Sequence, residues 1–221
     1  QRQMCIRDRV NTMKKKYIAT LLLAGCMSLC FTSQAQAQYV SQRKVHLTID
    51  WQMNAPFSTG FADKISGWGM NFEGMYNLTN NISAGAFISF HTNHYYVARQ
   101  TISLSPTESL TTDQQRSAFQ IPFGAALDYT FNSRYVYPYV GVKLGAMFAR
   151  NTTYFGTGGL YDKSWGFYAS PEIGLKIYPI KHRNLGFHIA GYYSYATNRT
   201  QTLTCDIDGQ NNVGFRLGVI F

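Results

Sequence analysis

The stretch Asn212–Phe221, reading NVGFRLGVIF, decides the fold. Val213, Phe215, Leu217, Val219 and Phe221 fall on one parity; Asn212, Gly214, Arg216, Gly218 and Ile220 fall on the other. Side chains alternate faces along a strand, so one face is wholly apolar and the other, apart from Ile220, is small or polar. A strand in water can carry the same alternation. The reading therefore rests on whether the pattern recurs upstream.

It recurs seven times. Alternating segments run over about 44–57, 66–78, 82–97, 116–131, 135–150, 164–178 and 185–198, each long enough to cross a bilayer as a tilted strand. The fourth is the clearest: Phe119, Ile121, Phe123, Ala125, Leu127, Tyr129 and Phe131 oppose Gln120, Gly124, Ala126, Asp128 and Thr130. Bulges around Pro122, Pro138 and Pro171 are the places where parity is expected to slip. Between segments, 79–81, 132–134 and 179–184 are short and rich in turn formers, while 58–64, 98–115, 151–163 and 199–211 are longer and polar. Counting along the chain puts the short turns and both ends of the strand set on one side and the longer loops on the other. That sorting predicts an all-β fold, an eight-stranded antiparallel transmembrane β-barrel with short periplasmic turns and long external loops.

The polarity of the faces supports a membrane rather than an aqueous exterior. One face carries Val, Ile, Leu, Phe and Trp with almost no charge; the other carries Asp50, Glu73, Asp128, Lys143, Glu172, Lys176 and Arg216. So few charges would cover a water-facing exterior poorly, and in hydrocarbon a closed barrel pairs every backbone group and leaves no edge. Tyr76, Phe131, Tyr135 and Phe221, near periplasmic strand ends, suit an interfacial girdle. The formal net charge of +9 overstates the basicity of the barrel. Six of the 20 basic residues (Arg2, Arg7, Arg9, Lys14, Lys15, Lys16) precede any folded part, leaving 14 against 10 acidic residues once Asp8 is also set aside. The remainder are scattered, with no basic stripe of the kind nucleic acid requires.

The N-terminal region is read separately. Residues 1–12 are set aside: QRQMCIRDR resembles translated adapter sequence, and Met13 is the plausible start. From there Lys14–Lys16, an apolar run from Tyr17 to Phe31 and the A-x-A arrangement at Ala35 and Ala37 predict a cleavable signal peptide over 13–37, so that 38–221 forms the barrel domain. A competing signal is Leu23-Ala24-Gly25-Cys26, which resembles a lipobox that would make Cys26 a lipidation site; against it, Met27 to Phe31 stays apolar. Cleavage after Ala37 removes Cys5, Cys26 and Cys30 and leaves Cys205 alone, without a disulfide or a cysteine metal site.

On these segments, on the phrase Tyr137-Pro138-Tyr139-Val140-Gly141-Val142 and on the terminal Phe221, the chain from about Arg43 resembles the eight-stranded outer-membrane barrel families. The OmpA transmembrane domain and OmpX are examples, within a wider porin-like group. The resemblance implies an outer-membrane location, lipid and lipopolysaccharide as surroundings, and a terminal Phe read by the barrel assembly machinery, although Val219 stands where that signal often has a second aromatic. No periplasmic domain is expected after Phe221, so the peptidoglycan-binding module of full OmpA-type proteins is expected to be absent. The resemblance does not fix an activity, because that fold hosts structural proteins, adhesins, narrow pores and lipid enzymes.

Three roles follow for this chain. The seven inner charges are expected to pair across a narrow lumen, giving a plugged barrel with a structural or surface-interaction role. Exchange of partners by Lys143, Glu172 or Arg216 would instead gate a small porin-like channel. A lipid A-modifying enzyme is the third reading, with His91, His94, His188, Ser194 and Glu172 as candidate atoms, but no spacing fixes a catalytic set. His91 and His94 are three apart and so fall on opposite strand faces, which disfavours a shared metal. Gly156-Thr-Gly-Gly159 is no phosphate cradle, because no helix is expected after it. No cofactor is implied. The Ser/Thr-rich loop 98–115 and loop 151–163 are the places for an extracellular ligand.

Overall fold

The computed structural model describes residues 44–57, 61–105, 108–133, 136–156, 158–179, 185–202 and 205–221. The signal-peptide and lipidation readings, with the girdle position Tyr135, lie outside them. Eight strands, β1 (Val45–Phe57), β2 (Gly69–Asn77), β3 (Ile82–Ser105), β4 (Glu108–Thr130), β5 (Val136–Phe155), β6 (Gly158–Ile177), β7 (Gly186–Thr202) and β8 (Cys205–Ile220), form one closed barrel. Each pairs antiparallel with its sequence neighbours, and β8 pairs with β1 to close the ring.

The register can be followed once around. Leu47 faces Gly74, then Ala86, Ala125, Leu144, Ala169, Tyr195 and Asn211 in turn, and Asn211 faces Phe57, ten residues beyond the start. With ~3.3 Å per residue and strands ~4.8 Å apart, that stagger tilts the strands by roughly 40° and sets a Cα radius of about 8 Å. Such a cylinder is filled by its own inward side chains.

The faces divide as the alternation predicts. Val45, Leu47, Ile49 and Trp51 of β1 are exposed on the outside, and Thr48, Asp50, Gln52 and Asn54 are buried inside. On β8, Val213, Leu217 and Phe221 are exposed while Asn212, Arg216 and Ile220 are buried. The interior is polar, inverted relative to a water-soluble protein. Tyr76, Phe131 and Phe221 stand exposed at the periplasmic end, where Tyr129 and Phe131 meet edge-to-face with centroids 5.1 Å apart. At the seam Phe221 N–H donates to Leu47 O (2.8 Å) and Leu47 N–H to Phe221 O (3.1 Å), so the last residue closes the cylinder through its backbone.

Two expectations are corrected. Most of 98–115, 151–163 and 199–211 is strand, not loop: Tyr96 faces Gln115, Asn151 faces Asp162, and Arg199 faces Asp208, so three β-ribbons rise beyond the barrel wall. Their Ser/Thr content favours strands, but above the membrane neither face has to meet lipid, so no strict apolar–polar alternation is selected. The predicted bulges at Pro122, Pro138 and Pro171 are also absent from the register among the described residues. The irregularities fall instead at Val97/Gln100, Ser103/Ser105 and Ala196/Arg199, on or beside the ribbons. Pro122 and Pro138 keep their places in the ladder, and the strand order around them is unbroken.

The first external connection is different in kind. Asn54 and Ser66 exchange both backbone hydrogen bonds (2.8 and 2.9 Å), and Asn93 Nδ2 donates to Lys64 O (3.1 Å). These bonds fold the segment inward, burying Phe61 and Ala62 against Ala118 and Ile207 at the external mouth.

Candidate functional site in the barrel lumen

The cross-strand register explains which side chains meet. Gly218 on β8 faces Asp50 on one side and His188 on the other. Because glycine has no side chain, Asp50 and His188 reach across it, and His188 Nδ1 lies 2.6 Å from Asp50 Oδ1. Gly141 on β5 lies between Asp128 and Glu172 and leaves room for the Asp128 carboxylate, but these two acids bond Lys176 and Lys143 rather than each other. Inward glycines such as these leave the room into which the lumen side chains reach.

The result is a closed ring of hydrogen bonds across the lumen. Asn71 Nδ2 donates to Asp50 Oδ2 (2.9 Å) and to Glu73 Oε1 (2.6 Å). Lys143 Nζ bonds Glu73, and also Glu172 Oε2 at 2.8 Å. Glu172 accepts from the Tyr139 hydroxyl, whose oxygen lies 2.5 Å from His188 Nε2, and His188 returns to Asp50. Arg216, fully buried, adds an ion pair to Glu172 and donates through Nε to Gln52 Oε1 (3.0 Å). Toward the periplasm Lys176 Nζ pairs with Asp128 Oδ2 (2.9 Å) and lies 4.6 Å from the centroid of the Tyr139 ring.

The single phenolic proton of Tyr139 goes to the Glu172 carboxylate. His188 bridges the phenol oxygen, through Nε2, and the Asp50 carboxylate, through Nδ1. Four carboxylates (Asp50, Glu73, Asp128, Glu172) thus meet three cations (Lys143, Lys176, Arg216), with the His188 imidazole on Asp50.

Above the ring lies a neutral layer. Gln52 Oε1 also accepts from Ser89 Oγ (3.2 Å), and Gln52 Nε2 donates to His91 Nδ1 (3.3 Å). His91 Nε2 donates to Gln120 Oε1 (2.6 Å), which also takes a bond from Asn212 Nδ2 (3.2 Å). Higher still, a void of about 10 Å³ for a water-sized sphere is lined by Asn93, Gln120, Asn151 and Gln210 and roofed by Phe61. Arg116 stands 5.5 Å from the centroid of the Phe61 ring.

The structure therefore brings Asp50, Glu73, Lys143, Glu172 and Arg216 into one cluster and sets Asp128 with Lys176 beside it. Parity also placed Asn71 and Tyr139 inside, but a search for formal charge passes over these two neutral links. Nothing in the sequence marks Phe61, one apolar residue in a short connection, as the roof. Of the proposed catalytic atoms, His91 bonds only amides among the described residues, His94 is exposed on β3, and His188 has Tyr139 rather than a serine at its second nitrogen. Gly156, at the β5–β6 turn, takes a left-handed φ of 52°, and a strand follows it.

A closed eight-stranded barrel with an apolar exterior and a paired polar interior is the architecture of a transmembrane barrel. The chain belongs to the family of outer membrane protein beta-barrel domains, whose model matches residues 21–221. Similar solved structures include Neisserial surface protein A, at 15% identity over 80% of this chain and 96% of that one, with a TM-score of 0.49. Ail, the attachment invasion locus protein of Yersinia pestis, matches at 17% identity over 80% and 97%, with a TM-score of 0.44. The N-terminal β-barrel domain of Pseudomonas aeruginosa OprF matches at 13% identity over 80% and 97%, with a TM-score of 0.38. No curated protein matches the chain.

Proposed function

We propose that this outer-membrane protein is a sealed barrel, non-conducting and non-enzymatic, that carries its β3–β4, β5–β6 and β7–β8 ribbons outward as interaction surfaces. The observation that carries the reading is the closed ring Asp50–Asn71–Glu73–Lys143–Glu172–Tyr139–His188, drawn from five strands and meeting across the full width of the lumen. A water path would require these groups to part, and each would leave a buried charge without its partner. The buried Phe61 roof is a second barrier in series.

The alternative is a small channel in which Lys143, Glu172 and Arg216 exchange partners. Single-channel recording from the refolded barrel in a planar bilayer separates the two. Silence, with the folded state verified by its gel mobility before and after boiling, is the result expected. Discrete steps that change on Glu172→Gln would overturn the sealed barrel and make the ring a gate.

A further inference from the structure

We infer that Arg150 and Lys163, on the lipid-facing side of the β5–β6 ribbon, form a binding site for a phosphate group of an outer-leaflet glycolipid. The two residues are direct cross-strand partners and both are exposed. Like charges placed opposite one another in a sheet repel, yet among the described residues neither side chain has a carboxylate partner. The nearest acid in sequence, Asp162, turns its Oδ1 to the Lys163 backbone N–H (2.8 Å). On the neighbouring strand Arg199 is already held by Asp208 (2.8 Å). The Arg150 guanidinium and the Lys163 ammonium lie 4.7 and 5.6 Å from the centroid of one ring, that of Tyr161, whose hydroxyl adds a donor.

Position argues for a lipid. From Val136 to Phe148 on β5, and from Ile177 to Trp165 on β6, every outward-facing residue is uncharged. Arg150 and Lys163 are the first charges met on either strand. Fourteen residues above Val136, at ~3.3 Å each and a tilt of roughly 40°, they stand about 35 Å from the periplasmic strand end, above an apolar band of about 25 Å. Immediately beneath them Trp165 packs on Phe148 (5.2 Å) and Phe123 (6.2 Å), an aromatic floor at the depth where acyl chains give way to headgroups. Two cations and a phenol above such a floor match a phosphate monoester whose acyl chains run down the barrel wall; Arg supplies the fork that fits its oxygens and Lys a point charge.

The test uses protein purified from outer membranes in mild detergent, delipidated and titrated with bisphosphorylated lipid A under native mass spectrometry. Wild type is expected to retain one lipid more tightly than the variant Arg150→Gln/Lys163→Gln by about tenfold or more, the loss of one charge-assisted bond. Arg199→Gln, at a cation already paired, is expected to bind as wild type does. Equal retention by wild type and the double variant, both showing the heat-dependent gel shift of a folded barrel, would overturn the assignment. So would equal binding of dephosphorylated lipid A. Displacement of lipid A by millimolar inorganic phosphate would replace the glycolipid with a soluble phosphate as the ligand, which also overturns it.

Discussion

Glu172→Gln is the sharpest perturbation of the lumen, because it keeps the side chain's shape and removes only its charge. In the wild type, Glu172 and Glu73 face Lys143 and Arg216, two acids against two bases, all essentially excluded from solvent. The amide oxygen of the variant can still accept from Lys143 and Arg216, and its NH₂ can turn to the Tyr139 oxygen, so steric loss is small. What remains is one uncompensated buried cation. Breaking a buried pair in this way costs about 3–5 kcal/mol, roughly a hundredfold to a few thousandfold in the folding equilibrium. Lys143→Met alone should cost a similar amount, since Glu73 and Glu172 would then share Arg216. Added to Glu172→Gln, however, Lys143→Met restores parity, leaving Glu73 against Arg216, and should recover stability. The assay is reversible urea unfolding of the barrel in lipid vesicles, followed by tryptophan fluorescence. If the two losses simply add, the charge-balance account is wrong, because independent packing defects add and members of one network do not.

Phe61→Ala should free the roof without loosening the wall. Hydrogen exchange at Ala62 and Ser66 should rise by about tenfold or more while the urea midpoint holds, and bilayer recordings should stay silent because the ring below is intact. A Cβ at Gly218 would run into the Ile49 carbonyl and the Asp50 carboxylate, so Gly218→Val should lose about 3 kcal/mol or more and yield little heat-shifted folded protein; normal refolding would refute the view that Gly218 is the opening between Asp50 and His188. Phe221→Ala keeps the seam, whose bonds to Leu47 are backbone, and removes only a half-exposed ring. If that ring is the assembly signal, refolding into vesicles should change by less than about 1 kcal/mol while the amount reaching the outer membrane in cells falls severalfold; equal losses in both would make Phe221 a structural residue.

The alternation was legible wherever the two faces of a strand meet different surroundings. Phe123 and Leu127 face lipid and Asp128 faces the lumen, so a single slip in register would bury the wrong set, and the sequence is held to strict parity. Above the lipid that constraint ends. Thr101 and Thr111, directly opposite in the β3–β4 ribbon, bond hydroxyl to hydroxyl at 2.8 Å, but nothing in their local pattern separates a paired ribbon from a solvated loop. The prolines misled for a related reason. A strand proline signals a bulge when its missing N–H breaks a ladder, yet Pro122 and Pro138 hold their register beside Met147 and Leu175.

The lumen illustrates a second limit. Parity put Asp50, Glu73, Lys143, Glu172 and Arg216 on one face and passed over the buried Arg116, and which acid meets which base depends on the stagger of the strands and on where glycines leave room between them. Asp50 and His188 are 138 positions apart in sequence and become neighbours only because β8 returns between β1 and β7 and places Gly218 there. The same geometry makes the plug independent of the exterior. Its bonds link β1, β2, β5, β6, β7 and β8 well below the ribbons, so substitutions beyond the apolar band need not disturb it. A barrel sealed and cross-braced from within can change its ribbons and the Arg150–Lys163 face freely, and selection for a surface role can act there without first passing through stability.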